Sequence, residues 1–254
     1  MNILVCFKYI YNEEEVYVGM DKSPDVSGAS MVVSPYDLNM IEAAMKLAAA
    51  VGDSNVYMMT VAGDVLDNSK AKKSALSRGP AAMYAVKADG ALELDNLAVA
   101  SLLKGAVEKL DDVDLIVCGE GSGDMYSQQL GCMLGGMLGW PTLNVVSELK
   151  YEDGSVIAVR TEGNRTETFK LCGKAVVSVT SDISRPRIPS MKEIMGAGKK
   201  PVTIWSAEEI GGLESVTSVA SVKAPPKTVR KRQVFHESEE AEFDEFCKLL
   251  KSSI

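Results

Sequence analysis

Val113-Asp114-Leu115-Ile116-Val117-Cys118 runs straight into Gly119-Glu120-Gly121-Ser122-Gly123, and this junction of an apolar run with a glycine turn decides the fold. A near-continuous apolar run of that length is the kind of strand that a parallel sheet buries on both faces. Working outward, strands are expected over residues 2–7, 55–61 and 83–88, with helical stretches between them. Ser34 offers an N-cap, with Pro35 at the first helical position and Asp37 near the positive end of the helix dipole. The helix it opens carries Ile41, Met45, Ala48 and Ala49 on one face. A second helix is expected over 66–77, and a third, starting at Asp95, presents Val99, Leu103, Ala106, Val107 and Leu110 on one side. Such alternation implies βαβ units with right-handed crossovers.

After Ser147 the pattern changes. Residues 149–151 and 156–160 flank Asp153-Gly154, a hairpin turn signal, and 166–171 can add a third antiparallel strand. Residues 175–180 return to a buried run, and from Gly211 the periodicity fades into a basic, proline-containing stretch (223–232) and an acidic, helix-prone one (237–245). The expected fold is α/β: a doubly wound, mostly parallel sheet with a small antiparallel hairpin addition and an extended C-terminal arm. Residues 1–210 are expected to form the α/β domain and 211–254 the arm.

A chain of 254 residues with 46% hydrophobic content can bury a full core. No run approaches the roughly 18 apolar residues that span a bilayer. The start Met1-Asn2-Ile3-Leu4-Val5-Cys6-Phe7 has neither a charged n-region nor a small-residue cleavage site. No membrane insertion is expected, and the protein is placed in the cytoplasm. Cysteines at 6, 118, 132, 172 and 247 form no CxxC pair and no metal-ligand spacing, and are expected as buried small hydrophobes. A net charge of −8 disfavours nucleic acid as a partner. The single His236 lies in a charged tail segment, a poor basis for a Ser-His-Asp triad or a zinc site. No constellation of nucleophile, base and oxyanion donors stands out, so no catalytic or metal-binding residue is assigned.

Ligands of doubly wound sheets bind beyond the carboxyl ends of the strands, where residues 119–129 fall. Glycines let the backbone approach a ligand, Asp124 or Ser122 can cap the helix that follows, and the free N–H groups around 126–129 suit a phosphate. Tyr126 and Gln129 can add side-chain contacts. A glycine turn after a strand can equally be only a turn. The usual fingerprints are missing: Cys6-Phe7-Lys8-Tyr9 stands where a dehydrogenase carries G-x-G-x-x-G, and no GxxxxGK[ST] occurs.

One further string, Ser181-Asp182-Ile183-Ser184-Arg185-Pro186-Arg187-Ile188-Pro189-Ser190-Met191, leaves Ile188 as an apolar residue in an extended polar segment that its prolines keep out of helix. Taken alone it reads equally as an interdomain linker. Together with Ser34-Pro35-Tyr36-Asp37 and residues 119–131, it resembles the signature of electron transfer flavoprotein beta subunits. Leu76-Ser77-Arg78-Gly79-Pro80 and residues 121–129 bring the likeness nearest to the Fix-type branch. The resemblance covers roughly residues 1–205.

It implies that the loop holds the phosphates of AMP, or of a second FAD in the electron-bifurcating type, through Gly119, Gly123, Asp124, Ser127, Gln128 and Gln129. The adenosine would be lined by Cys6, Phe7 and Lys8, by Ser34, and by Val61, Ala62 and Gly63. The electron-carrying FAD would sit mostly in an alpha subunit, its ring near Tyr36, a residue that reads as readily as a core-packed aromatic. Arg185, Ile188, Pro189 and Met191 would dock a partner dehydrogenase of the acyl-CoA type. Departures exist: Met125-Tyr126-Ser127 follows Asp124, and Asn96 and Val99 replace two hydroxyls of the bifurcating pattern. The nucleotide and the question of bifurcation stay open. The competing expectation is an adenine-nucleotide-binding regulatory protein of the universal-stress type, which has no redox role.

Overall fold

The computed structural model describes residues 1–226, 232–236 and 240–252. Much of the basic stretch expected over 223–232, and the first residues of the acidic one, therefore lie outside the described residues. One sheet dominates, built from β1 (Asn2–Cys6), β2 (Asn55–Ala62), β3 (Ala82–Lys87), β4 (Leu115–Gly119), β5 (Thr142–Glu152), β6 (Ser155–Glu162), β7 (Arg165–Leu171), β8 (Ala175–Val179) and β9 (Val202–Ser206). The spatial order is β7-β6-β5-β8-β4-β1-β2-β3-β9. All neighbours from β5 to β9 pair in parallel, and only β6 and β7 run antiparallel to theirs.

The helices are α1 (Pro35–Val51), α2 (Ser69–Leu76), α3 (Asn96–Val107), α4 (Leu130–Leu138), α5 (Met191–Ala197), α6 (Ala207–Ile210) and α7 (Glu240–Ser252). The strand that decides the fold is buried on both faces, as its composition requires. Leu115 and Val117 pack with Ile3, Val5 and Ile41 on one side, while Ile116 and Cys118 pack with Leu4, Leu103 and Leu134 on the other. Each such side chain contributes about 1.5–3 kcal/mol by leaving water. The chain lays β2 and β3 to one side of β1, then crosses back to lay β4 on the other side. That reversal opens a crevice beyond the carboxyl ends of β1 and β4.

The β5–β6 hairpin turns at Asp153 (φ 47°) and Gly154 (φ 75°), two successive left-handed residues that match the strand twist. Several local expectations need correction. The helix expected over 66–77 is a 3₁₀ turn (Asp64–Asp67) followed by α2, because Asn68 accepts from the N–H groups of Lys70 (2.9 Å) and Ala71 (3.3 Å) and starts a new helix. Ala49 faces solvent, not the core, and Cys132 and Cys172 are exposed. Strand β9 was not anticipated. It forms a sheet edge with one ladder unpaired, so its polarity is mixed, and Trp205 stacks on Tyr84 of β3 at 5.8 Å and 6°.

The largest correction concerns residues 120–129, which form a loop in which Tyr126 (φ 45°) and Gln128 (φ 57°) are left-handed. Helix α4 begins only at Leu130, so neither Ser122 nor Asp124 caps it. Ser34 stands at the N-cap of α1 without capping it by its side chain. Its hydroxyl oxygen instead accepts the N–H of Gly123 at 3.2 Å.

Candidate functional site

A cavity of about 450 Å³ occupies the crevice between the ends of β1 and β4. Three walls come from the sheet: Cys6, Phe7 and Lys8 leave β1, Val61 sits near the end of β2, and residues 119–122 leave β4. A fourth wall is the start of α3, where Asp95 and Asn96 meet Ser127, Gln128 and Gln129. Residues 216–219 of the C-terminal segment complete the lining.

Buried Asp37 anchors the floor. Its Oδ2 accepts the N–H of Lys8 at 2.7 Å. Burial pushes its carboxyl up to about 7, against the pull of that N–H and of the Lys8 charge. A Cβ on Gly119 would stand 2.7 Å from Asp37 Oδ1, so glycine there makes room for the carboxylate. Lys8 reaches Asp124 at 2.6 Å, and Ser122 also donates to Asp124. Burial works against the Asp124 charge, but these contacts hold its carboxyl below the usual carboxylate range. A Cβ on Gly121 would lie 2.6 Å from the Tyr126 ring. The first turn of α4 has no side-chain cap, which leaves its N–H groups for an anion.

The structure brings Cys6, Phe7, Lys8, Val61, Gly119, Ser127, Gln128 and Gln129 together around the cavity. It does not bring the rest there directly. Ala62 and Val61 pack against different cores, as strand alternation demands, and Gly63 starts the 3₁₀ turn. Ser34, Gly123 and Asp124 stand behind the lining and hold it in shape. Tyr36 lies beside the loop, edge-on to Tyr126 at 5.7 Å.

Sequence reasoning missed Asp95 as more than a helix start. Its Oδ1 accepts the N–H of Ala98 at 2.9 Å and caps α3, while its Oδ2 accepts from Val216 N (2.8 Å), Thr217 N (2.9 Å) and Thr217 Oγ1 (3.1 Å). The N–H bond to Ala98, followed by those to the strap formed by residues 216 and 217, lowers its carboxyl to about 2 although burial opposes this. Asn96, noted in the sequence only as a replaced hydroxyl, holds the loop: its amide donates to Gln129 at 3.1 Å and accepts from Ser127 at 3.2 Å. An N-cap aspartate is legible in sequence, but a partner 121 positions away is not. The Cys6 thiol is raised by its hydrogen bond to Cys118 and by burial, so it is held protonated.

The segment around Ile188 lies on another face. Ile188 is 92% exposed, and Met191, Ile194 and Met195 of α5 are exposed with it. Arg185 is exposed and Pro189 half-buried. The segment is held from beneath: Arg187 pairs with Glu42 at 2.7 Å, and Arg78 donates to the Arg187 carbonyl at 2.7 Å.

These features define a doubly wound α/β protein with a ligand-sized cavity at its topological switch point. The family model for the electron transfer flavoprotein domain matches residues 26–210, well over half of the chain. The chain belongs to the electron transfer flavoprotein family. No helix among the described residues is long and apolar enough to cross a membrane.

Proposed function

We propose that this chain is the beta-type subunit of a heterodimeric electron transfer flavoprotein, of the Fix-type branch. It holds an adenine nucleotide, AMP or FAD, in the cavity between β1 and β4. With a FAD-bearing alpha subunit it carries electrons in the cytoplasm from a dehydrogenase, of the acyl-CoA type, to a further acceptor. The observation that carries this reading is the cavity itself, where uncapped α4 amides and the Gly119–Gly121 backbone converge beyond the sheet's carboxyl edge. The cavity's lining fits a planar base and a sugar as well as a phosphate, since apolar Phe7, Val61, Leu103 and Val219 face the same space.

Flavin supplies the redox chemistry when bound, and this chain supplies position and electrostatics. Tyr36 offers an aromatic edge for the alpha subunit's flavin. The arm supports a partner chain: Leu213, Val216, Val219 and Val222 are all more than half exposed, an apolar ridge of which Val216 and Val219 also border the cavity. Helix α7 likewise exposes Phe243, Phe246 and Leu250. Such apolar ridges call for cover by another subunit. A stress-type nucleotide sensor has no use for them, or for the exposed Ile188 segment. The test is to express the chain with its partner, denature the purified complex and identify the released nucleotides with their stoichiometry. A complex that releases no adenine nucleotide beyond the partner's FAD, or a chain that purifies as a monomer without a partner, would overturn the proposal.

A further inference from the structure

One carboxylate joins the cavity loop to the segment that carries Ile188. Glu120, the first residue after β4, donates its N–H to the Val179 carbonyl at 2.9 Å and so extends the β4–β8 ladder by one rung. Its Oε1 accepts the N–H of Ser181 at 2.9 Å, across 61 positions of sequence. Ser181 is gripped from the other side by Asn39 of α1, whose amide donates to the Ser181 carbonyl. Further along, Lys46 donates to Ser184 Oγ at 2.8 Å and Glu42 takes the Arg187 guanidinium. The segment is thus laid along one flank of α1, and its first fixed point is held by the cavity loop.

That loop keeps Tyr126 and Gln128 in the left-handed region without the excuse of glycine. Backbone of this kind persists only where its surroundings determine it. A ligand seated against Gln128 and the loop amides adds to that restraint. We infer that Glu120 is a positioning residue through which occupancy of the cavity fixes the backbone that presents Ile188. The inference rests on the reading of the cavity as an adenine-nucleotide site. By linkage, docking at Ile188 tightens nucleotide binding by the same factor that the nucleotide tightens docking.

The test is amide hydrogen exchange on the full chain in its native complex, stripped of nucleotide and then saturated with AMP as the probe. It is run for the wild type, Glu120→Ala and Glu120→Gln. AMP is expected to slow exchange in 119–129 and, by about tenfold or more, in 181–188. In Glu120→Ala the response of 181–188, relative to that of 119–129, should collapse. Glu120→Gln keeps a carbonyl acceptor for the Ser181 N–H and should restore it. A wild-type response confined to 119–129 overturns the inference alone, as does an undiminished relative response in Glu120→Ala. No response of 119–129 to AMP, nor to FAD used in its place, overturns the nucleotide reading, and the inference with it. The wild-type comparison decides on its own should a variant fail to fold.

Discussion

Arg187 and Glu42 meet as a fork across 145 positions of sequence: Nε donates to Oε2 at 2.7 Å and the outer guanidinium nitrogen to Oε1 at 3.2 Å. The Glu42 carboxylate is almost fully covered while Arg187 is partly open, so the pair acts mainly as a geometric clamp on α1. Its neighbour Ile188 is turned to water. An apolar side chain held outward on a fixed backbone loses little entropy when a partner covers it.

Ile188→Ala should therefore leave stability within about 0.5 kcal/mol of wild type, because an exposed side chain has no core to leave. Reduction by the partner dehydrogenase should weaken about tenfold or more, with flavin content unchanged. Melting temperature and reduction rate on the same variant decide the matter. A large loss of stability with normal transfer would assign Ile188 to the core.

Asp37 predicts a pH signature. Its folded-state carboxyl lies near 7, above its ordinary value of 3.8, so the folded state holds the extra proton between those limits. Folding then loses stability as pH rises from about 4 to 7, by an amount on the order of a few kcal/mol. Asp37→Asn keeps an acceptor for the Lys8 N–H and removes the titration. The melting temperature of the variant relative to wild type should rise between about pH 4 and pH 7. An offset that does not change with pH would contradict the account.

Ser127→Glu places a carboxylate on the cavity wall beside Gln128 and Gln129. Repulsion of the nucleotide phosphate should empty the site while the fold persists. Nucleotide released by heat, measured per chain, should fall at least tenfold. Unchanged content would move the phosphate elsewhere.

Asp95→Ala removes the acceptor that holds residues 216 and 217 against α3. Limited proteolysis should cut 213–226 several-fold faster than in wild type. The ionised carboxylate persists down to about pH 2, so the strap should stay fastened in mild acid and loosen only as pH falls through that value. Equal cleavage in variant and wild type would show that the strap is held by something else.

Much of the architecture was legible, because burial on two faces writes itself into strands such as Leu115–Gly119 and a left-handed pair marks the turn at Asp153-Gly154. Strand β9 was not legible, since an edge strand owes its pairing to Ala82–Lys87 and carries no apolar run of its own. The cavity loop escaped for a different reason. Its left-handed Tyr126 and Gln128 sit among tertiary contacts such as Tyr126 against Tyr36, 90 positions away, which no local propensity encodes. Glycine spacing and strand ends pointed to Cys6–Lys8 and Gly119, but the side chains that shape the site, Asp37, Asp95 and Asn96, act through partners 29 to 122 positions away.

What the purified protein carries tests the nucleotide site most directly. Purified with its co-expressed partner and denatured, it should release one adenine nucleotide per chain from the cavity in addition to the FAD of the partner subunit, and Ser127→Glu should abolish the first without the second. A complex that releases no adenine nucleotide beyond the partner's FAD, with the cavity residues intact, would contradict it.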